Sequence, residues 1–257
     1  MTRLFIFLCG LILIAGCKRD ELPPCLCPGE KEGLLCIRSE YIDGKCIGYV
    51  RHYYGINDSI LKLEFYPEGG NMQSRFYFYD SLNRIHEISI IENGKPDRKR
   101  VFEYDETGLL TAIHFYENQT ESYSYVNSYN SLKQLIKKQR FNGTIPDTIY
   151  NYIYYTSGKL YRAKTYNADN TLLHYFENEF FQDMNKTSYY DGSDSLLKYD
   201  VSFLNVLGNP EKKLYFNSSE VEYATELFEY DASPRLTKSE FKAYDGSSSR
   251  ATYYRYN

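Results

Sequence analysis

The sequence has no tryptophan, three methionines and four histidines in 257 residues. His52, His86, His114 and His174 share no ligand spacing, so neither a histidine metal site nor a histidine-based catalytic cluster is expected. No single sign of charge dominates: 30 Lys and Arg stand against 34 Asp and Glu, net −4. That leaves no global basic field to attract nucleic acid. The longest apolar run, residues 4–14, is eleven residues, too short to cross a bilayer as a helix. Beyond residue 47 no apolar stripe of helical period and length occurs. The chain also lacks Gly-x-Ser-x-Gly, a Walker loop, His-Glu-x-x-His and an EF-hand loop. Asp191-Gly-Ser-Asp-Ser is calcium-like in composition but too short for a full ligand set, and reads as a turn. No cofactor, no metal and no enzymatic activity are expected.

What is abundant is tyrosine, 29 residues, with 15 phenylalanines. Planar rings pack well on half-buried pleated surfaces, and a phenol keeps its hydroxyl in water. Gly, Asn, Asp and Ser recur between the aromatic runs, where turns need them. The composition is that of an all-β protein.

Residues 1–16 read as a signal peptide, with a positive start followed by the apolar run. Leu13-Ile14-Ala15-Gly16-Cys17 resembles the bacterial lipobox. The resemblance implies cleavage before Cys17, attachment of a diacylglycerol to its thiol, acyl chains of palmitate type and a stable membrane anchor. Lys18-Arg19-Asp20-Glu21 resembles the export signal of Bacteroidetes surface lipoproteins, which implies an outer-membrane, surface-exposed location. Residues 17–46 then read as a cysteine-rich tether. Cys25, Cys27, Cys36 and Cys46 in an exported protein are expected to be oxidised in pairs, with three connectivities open. Cys25 and Cys27 are too close to bond each other, so each is expected to join Cys36 or Cys46. No His lies nearby and the spacing is not that of a zinc ribbon.

From residue 47 to 257 the chain repeats. Tyr54, Tyr79, Tyr104, Tyr129 and Tyr154 are spaced by 25 residues, and the series continues less regularly at Phe181, Leu204, Tyr230 and Tyr256. Six residues past most anchors stands an apolar residue: Ile60, Ile85, Leu110, Leu135, Leu160 and Leu236. Thr187 and Pro210 break that rule. A second turn falls half a period later, as at Asn93-Gly94, Asn142-Gly143 and Asp245-Gly246. Two turns per period define a long antiparallel meander of about eight 25-residue β-hairpins, sixteen or seventeen strands in all. Such a sheet must curl, split or close; the expectation adopted is a curled open sheet or half-barrel. A membrane-spanning barrel is excluded, because Lys137-Lys138 and Lys212-Lys213 put charge on both faces mid-strand.

Tyr104-Asp105-Glu106-Thr107-Gly108-Leu109-Leu110, with its variants at 79–85 and 230–236, resembles the YD repeat of the RHS family. The resemblance implies β-hairpin sheets, which in that family wind into a shell around a toxic C-terminal domain. About eight units are too few for a large shell, so the likeness supports the sheet and not toxin delivery. Asp58-Ser59, Asp80-Ser81, Asp147-Thr148 and Asp194-Ser195 resemble Bacteroidetes O-glycosylation sites and equally fit hydrogen-bonded turns. The functional expectation is a lipoprotein with a non-enzymatic binding or structural role toward a glycan or protein partner. The alternatives are an envelope polysaccharide enzyme and a carrier of an apolar ligand.

Overall fold

The computed structural model describes residues 35–43, 45–55 and 58–256, and among these it contains no helix. The strands are β1 (Leu35–Ile42), β2 (Lys45–Tyr54), β3 (Ile60–Pro67), β4 (Gln73–Tyr79), β5 (Ile85–Glu92) and β6 (Lys95–Tyr104). They continue as β7 (Leu110–Glu117), β8 (Thr120–Tyr129), β9 (Leu135–Asn142), β10 (Ile145–Tyr154), β11 (Leu160–Asn167) and β12 (Leu172–Phe180). The last six are β13 (Met184–Asp191), β14 (Leu196–Leu204), β15 (Pro210–Asn217), β16 (Glu222–Tyr230), β17 (Leu236–Ala243) and β18 (Ser249–Tyr256).

Each strand pairs antiparallel with the next, and β1 pairs with both β2 and β18. The sheet is therefore a closed eighteen-stranded barrel, not the curled open sheet or half-barrel expected from the repeats. The extra strand comes from residues 35–42, which the cysteine pattern assigns to the tether. Here Ile37, Ser39 and Tyr41 alternate with Arg38, Glu40 and Ile42, a period of two that inserts between β2 and β18. Without it both would be unpaired edges, which proteins avoid by closing or covering them. The seam is fastened by side chains as well. Arg250 pairs with Glu40 at 2.8 Å, and the Ser249 backbone N–H donates to Asp43 Oδ1 at 2.8 Å.

The repeat period has a physical cause in one hydrogen bond. The anchor ends each even-numbered strand, and in six of them it is a tyrosine whose hydroxyl reaches across to the first carbonyl of the strand before. Tyr79 donates to Ile60, Tyr104 to Ile85, Tyr129 to Leu110 and Tyr154 to Leu135, at 2.8–2.9 Å. Tyr230 donates to Pro210 and Tyr256 to Leu236 in the same way. The acceptor is the residue six past the previous anchor, so both repeating positions belong to one latch between consecutive hairpins. Pro210 keeps the latch because the bond uses its carbonyl, and a first strand position tolerates a missing N–H. Cations from the preceding turn cover three anchor rings: Arg84 over Tyr104 at 4.4 Å, Lys159 over Phe180 at 4.5 Å and Arg235 over Tyr256 at 4.9 Å. The sixth anchor is thus Phe180; Phe181, picked out by the spacing, lies in the following turn and is 47% exposed.

The residue after the anchor makes the turn. Asp80, Asp105, Asn130, Asn205 and Asp231 each use Oδ1 to accept the backbone N–H groups two and four residues on. Asn167, Asp191 and Asn217 do the same at the opposite rim. This is why Asp and Asn interchange there. It also assigns the calcium-like segment 191–195, and Asp80-Ser81, to turns. Four residues past the anchor the backbone has positive φ, supplied by Gly108 (+86°) and Gly158 (+85°) but also by Asn83 and Lys133 (+60° each).

Gly48 sits at a bulge beside the seam with φ +147°, and a Cβ there would lie 2.5 Å from the Tyr66 carbonyl oxygen. Gly48→Ala is expected to lower the urea midpoint more than Gly143→Ala. The latter position has φ +60° and open space, so it carries backbone strain alone, roughly 1–2 kcal/mol. Tyr104→Phe and Tyr129→Phe each remove one latch and are expected to cost about 1 kcal/mol in urea unfolding. The double variant should be near-additive, since the two anchors lie two strands, about 9.5 Å, apart.

Candidate functional site

Register sorts the side chains into two faces, and reach shows which faces inward. On one face rings meet across a skipped strand: Tyr125 of β8 with Tyr150 of β10 at 6.4 Å, and Tyr215 of β15 with Phe241 of β17 at 5.6 Å. Strands two apart are separated by about 9.5 Å, so their side chains converge only on a concave side. On the other face the stacked pairs join adjacent strands: Tyr49–Tyr66, Tyr175–Tyr190 and Tyr199–Phe216, at 4.6–4.7 Å. The first face lines the lumen and the second is the outer wall.

The outer wall is polar. Cross-strand and same-strand ion pairs stud its middle: Lys62–Glu64, Lys99–Glu87, Arg162–Glu177, Lys186–Glu179 and Lys238 with Glu229 and Glu240. His114 lies outward between Glu103 and Glu121, at 3.3 and 3.2 Å. Glu64 is buried there, which opposes its ionisation. Hydrogen bonds from Lys62, Tyr53 and Tyr66 outweigh that and hold its carboxyl at about 2.

The lumen is wide. Eighteen strands about 4.8 Å apart give a circumference of roughly 86 Å, so a round section is about 27 Å across before strand tilt widens it. Its chemistry follows one column of the repeat, the residue four before each anchor. Around the barrel this column reads Val50, Arg75, Arg100, Tyr125, Tyr150, Phe176, Asp200, Glu226 and Thr252. Basic residues give way to aromatics and then to acids.

The basic stretch covers β4–β9. Arg75 stacks on Phe65 at 4.3 Å and donates to Gln73; Arg100 lies over Phe115 at 5.2 Å. Lys138 lies over Tyr125 at 3.9 Å, and Arg140 over Tyr123 at 4.5 Å. Phe115 and Tyr123 stack at 4.3 Å and Tyr125 meets both edge-on, giving an aromatic floor beneath the cations. Burial first, then the charges of Arg100, Arg98 and Arg38, push the Arg75 guanidinium down. Burial also pushes Lys138 down.

The acidic stretch lies nearly opposite. Asp200 is buried and pairs with Lys213 at 3.1 Å; Tyr215 donates to Glu226 at 2.9 Å. Burial, and then the charge of Asp200 and a hydrogen bond to it, push Tyr189 up to about 12. Both carboxylates are engaged by partners. A cavity of about 650 Å³ lies between this wall and the seam, lined in part by Glu226, Phe241, Arg250, Arg38 and Tyr254. A second, of about 450 Å³, is lined in part by Arg38, Val50, Phe65, Gln73 and Glu92.

Of the residues singled out in the sequence, the anchor tyrosines are structural latches at one rim and lie apart from this charged band. Tyr54 is buried beside the seam. Cys46 is buried, and no described cysteine bonds to it; Cys17, Cys25, Cys27 and the side chain of Cys36 lie outside the described residues. No cluster of three or more His, Cys, Asp or Glu with metal-binding geometry occurs among the described residues. The luminal Arg75, Arg100, Lys138 and Arg140 escaped the sequence reading. The signal was present in the column four before the anchor, which reads as a charge series only when its members are known to share one face.

No protein-family model matches the chain, and no curated protein matches it. Solved structures do. A porin-like protein from Bacteroides uniformis is 11% identical with a TM-score of 0.49, covering 86% of this chain and 95% of that one. A second porin-like protein, from Bacteroides vulgatus, is 13% identical with a TM-score of 0.35, covering 87% and 98%. A TcdB2-TccC3-Cdc42 structure is 15% identical with a TM-score of 0.38; the match covers 82% of this chain and 12% of that one.

His52 is the remaining titratable oddity. It faces the lumen from β2, both ring nitrogens are buried without a partner, and burial, then Arg38, push it down to about 4. The unfolded chain protonates near the ordinary value of 6.5, so it binds the proton more readily than the fold below that pH. Stability is expected to be complete above pH 6.5 and to fall, by a few kcal/mol at most, toward pH 4. His52→Gln should flatten that part of a urea-midpoint-versus-pH curve. Below pH 4.5 the loss should continue toward pH 2 as Glu64 and the turn carboxyls held down by hydrogen bonds, such as Asp80, Asp105 and Asp231, protonate, and Glu64→Gln should make that limb shallower without removing it.

Proposed function

We propose that this chain is a surface-exposed outer-membrane lipoprotein, anchored through Cys17, whose barrel stands in water and binds a partner in its lumen without catalysing a reaction. The observation that carries this reading is the polarity of the two faces. A membrane-spanning barrel needs an apolar outer band about 25 Å tall. Here the corresponding positions hold ion pairs such as Lys186–Glu179 and Lys238–Glu240. The lumen instead gathers partly exposed rings beside cations, the groups that stack on sugars and anchor protein loops. Asp200 and Glu226 are each held by a partner, which favours binding over acid–base chemistry. The charged lumen also disfavours a carrier of an apolar ligand.

The chain from residue 18 onward, made without its lipid, is expected to be monodisperse in buffer without detergent and to leave planar-bilayer conductance unchanged. Spontaneous insertion with steady conductance would overturn the water-standing barrel. In cells, Cys17→Ser should abolish palmitate labelling, and added protease should digest the wild-type protein on intact cells. Protection from that protease would refute surface exposure.

A further inference from the structure

We propose that the β4–β9 wall of the lumen is a binding site for an anionic oligosaccharide, one bearing carboxylate or sulfate groups on its rings. The proposal rests on the lumen-binding reading above and specifies its ligand. On these six strands the mid-strand inward positions carry Arg75, Arg98, Arg100, Lys138 and Arg140, and Arg98 is paired with Glu92 at 3.4 Å. Glu92 and Glu117 stand at the rim ends of their strands. Arg140 reaches Asp147, at 3.5 Å, in the bulge of β10. Arg75, Arg100 and Lys138 form no ion pair with any described residue. On the outer wall Lys62, Lys99, Arg162, Lys186 and Lys238 each have a glutamate within reach, while Lys137, Lys164 and Lys212 stand singly on separate strands.

In a chain of net charge −4, cations without an ion pair held together on a concave face form a local basic patch that attracts anions. The spacing of these cations suits a distributed anion. Arg75, Arg100 and Lys138 lie on strands 4, 6 and 9, so two gaps of two and three strands, about 10 and 14 Å, separate them. One compact anion cannot touch all three; a chain with a charge on every second or third sugar can. A guanidinium donates two parallel N–H bonds to the paired oxygens of a carboxylate or sulfate. The rings under them, Phe115, Tyr123 and Tyr125, hold Arg100, Arg140 and Lys138 over their faces and so fix where the charges stand. The bore is the last constraint. Side chains from both walls reduce about 27 Å of backbone spacing to a width that admits an extended chain and excludes a folded protein.

The test is isothermal titration calorimetry on the lipid-free chain from residue 18. The probes are oligogalacturonate, a chondroitin sulfate oligosaccharide, a neutral dextran oligosaccharide of equal length, a poly-glutamate peptide and sodium sulfate. At least one charged oligosaccharide should bind, at least tenfold tighter than the dextran, with affinity falling as salt rises. Arg100→Gln and Lys138→Gln should each weaken it at least tenfold, while Lys212→Gln on the outer wall leaves it unchanged. Circular dichroism melts of each variant confirm that the barrel is intact. An equal loss with Lys212→Gln, or no loss with the two luminal variants, would overturn the site. Tighter binding of poly-glutamate than of any oligosaccharide would replace the sugar with an acidic peptide. Dextran binding that Tyr125→Ala abolishes but Arg100→Gln spares would keep the lumen as a binding site and refute its anionic ligand. Binding of none of the probes would refute the proposal.

Discussion

Closure through β1 is the constraint on which the rest of the molecule depends. A seventeen-stranded meander would offer backbone donors and acceptors along two edges. One eight-residue strand satisfies both at once. Closure then divides the side chains into two populations that never mix. Every residue is committed to the lumen or to the outer wall by its parity along the strand. The bulges near the turns, such as that between Phe78 and Tyr79, shift this parity in the same way in nearly every hairpin, so the repeats stay in step. Breaking the seam would expose both edges and flatten the curvature that brings Tyr125 to Tyr150.

The interior and exterior are inverted relative to what a bilayer would require. The outer wall carries charge at mid-strand, much of it paired locally, as in Lys99–Glu87, Arg162–Glu177 and Lys186–Glu179. In the lumen cations predominate on β4–β9, while Asp200 and Glu226 face them from β14 and β16, with Lys213 beside Asp200. Segregation on facing walls produces a field across the bore, strengthened because the walls have low dielectric.

Much of the fold was legible in the sequence because it rests on local chemistry. The 25-residue period, the two turns per period, and the anchor with its apolar partner all reflect contacts within about twenty residues, and the tyrosine latches show the cause. Two things were not legible. Residues 35–42 look like a tether because Cys36 and Cys46 catch the eye, and eight residues of alternation are a weak signal. Phe180 and Phe181 differ by a single residue in an irregular part of the series; the shortened turn at 181–183 and the Lys159 stack decide between them. The luminal site was hidden for a further reason. Arg75 and Lys138 are unremarkable in their own strands, and they acquire meaning only from curvature, which no single repeat encodes.

The seam also sets an order of events. The latches join residues 19 or 20 apart in sequence, whereas Glu40 and Arg250 are 210 apart. Closing the longer loop costs about 2 kcal/mol more in chain entropy, and its return comes from a single strand. Hairpins can therefore zip from neighbour to neighbour, as in an open repeat array, leaving the β1–β18 pairing as the one non-local step. Until it forms, β18 is an unpaired template, and β1 of a second chain has the same sequence and register as the intramolecular partner. Assembly is thus a competition between ring and polymer. Chain concentration, rather than any property of the repeats themselves, decides which one wins.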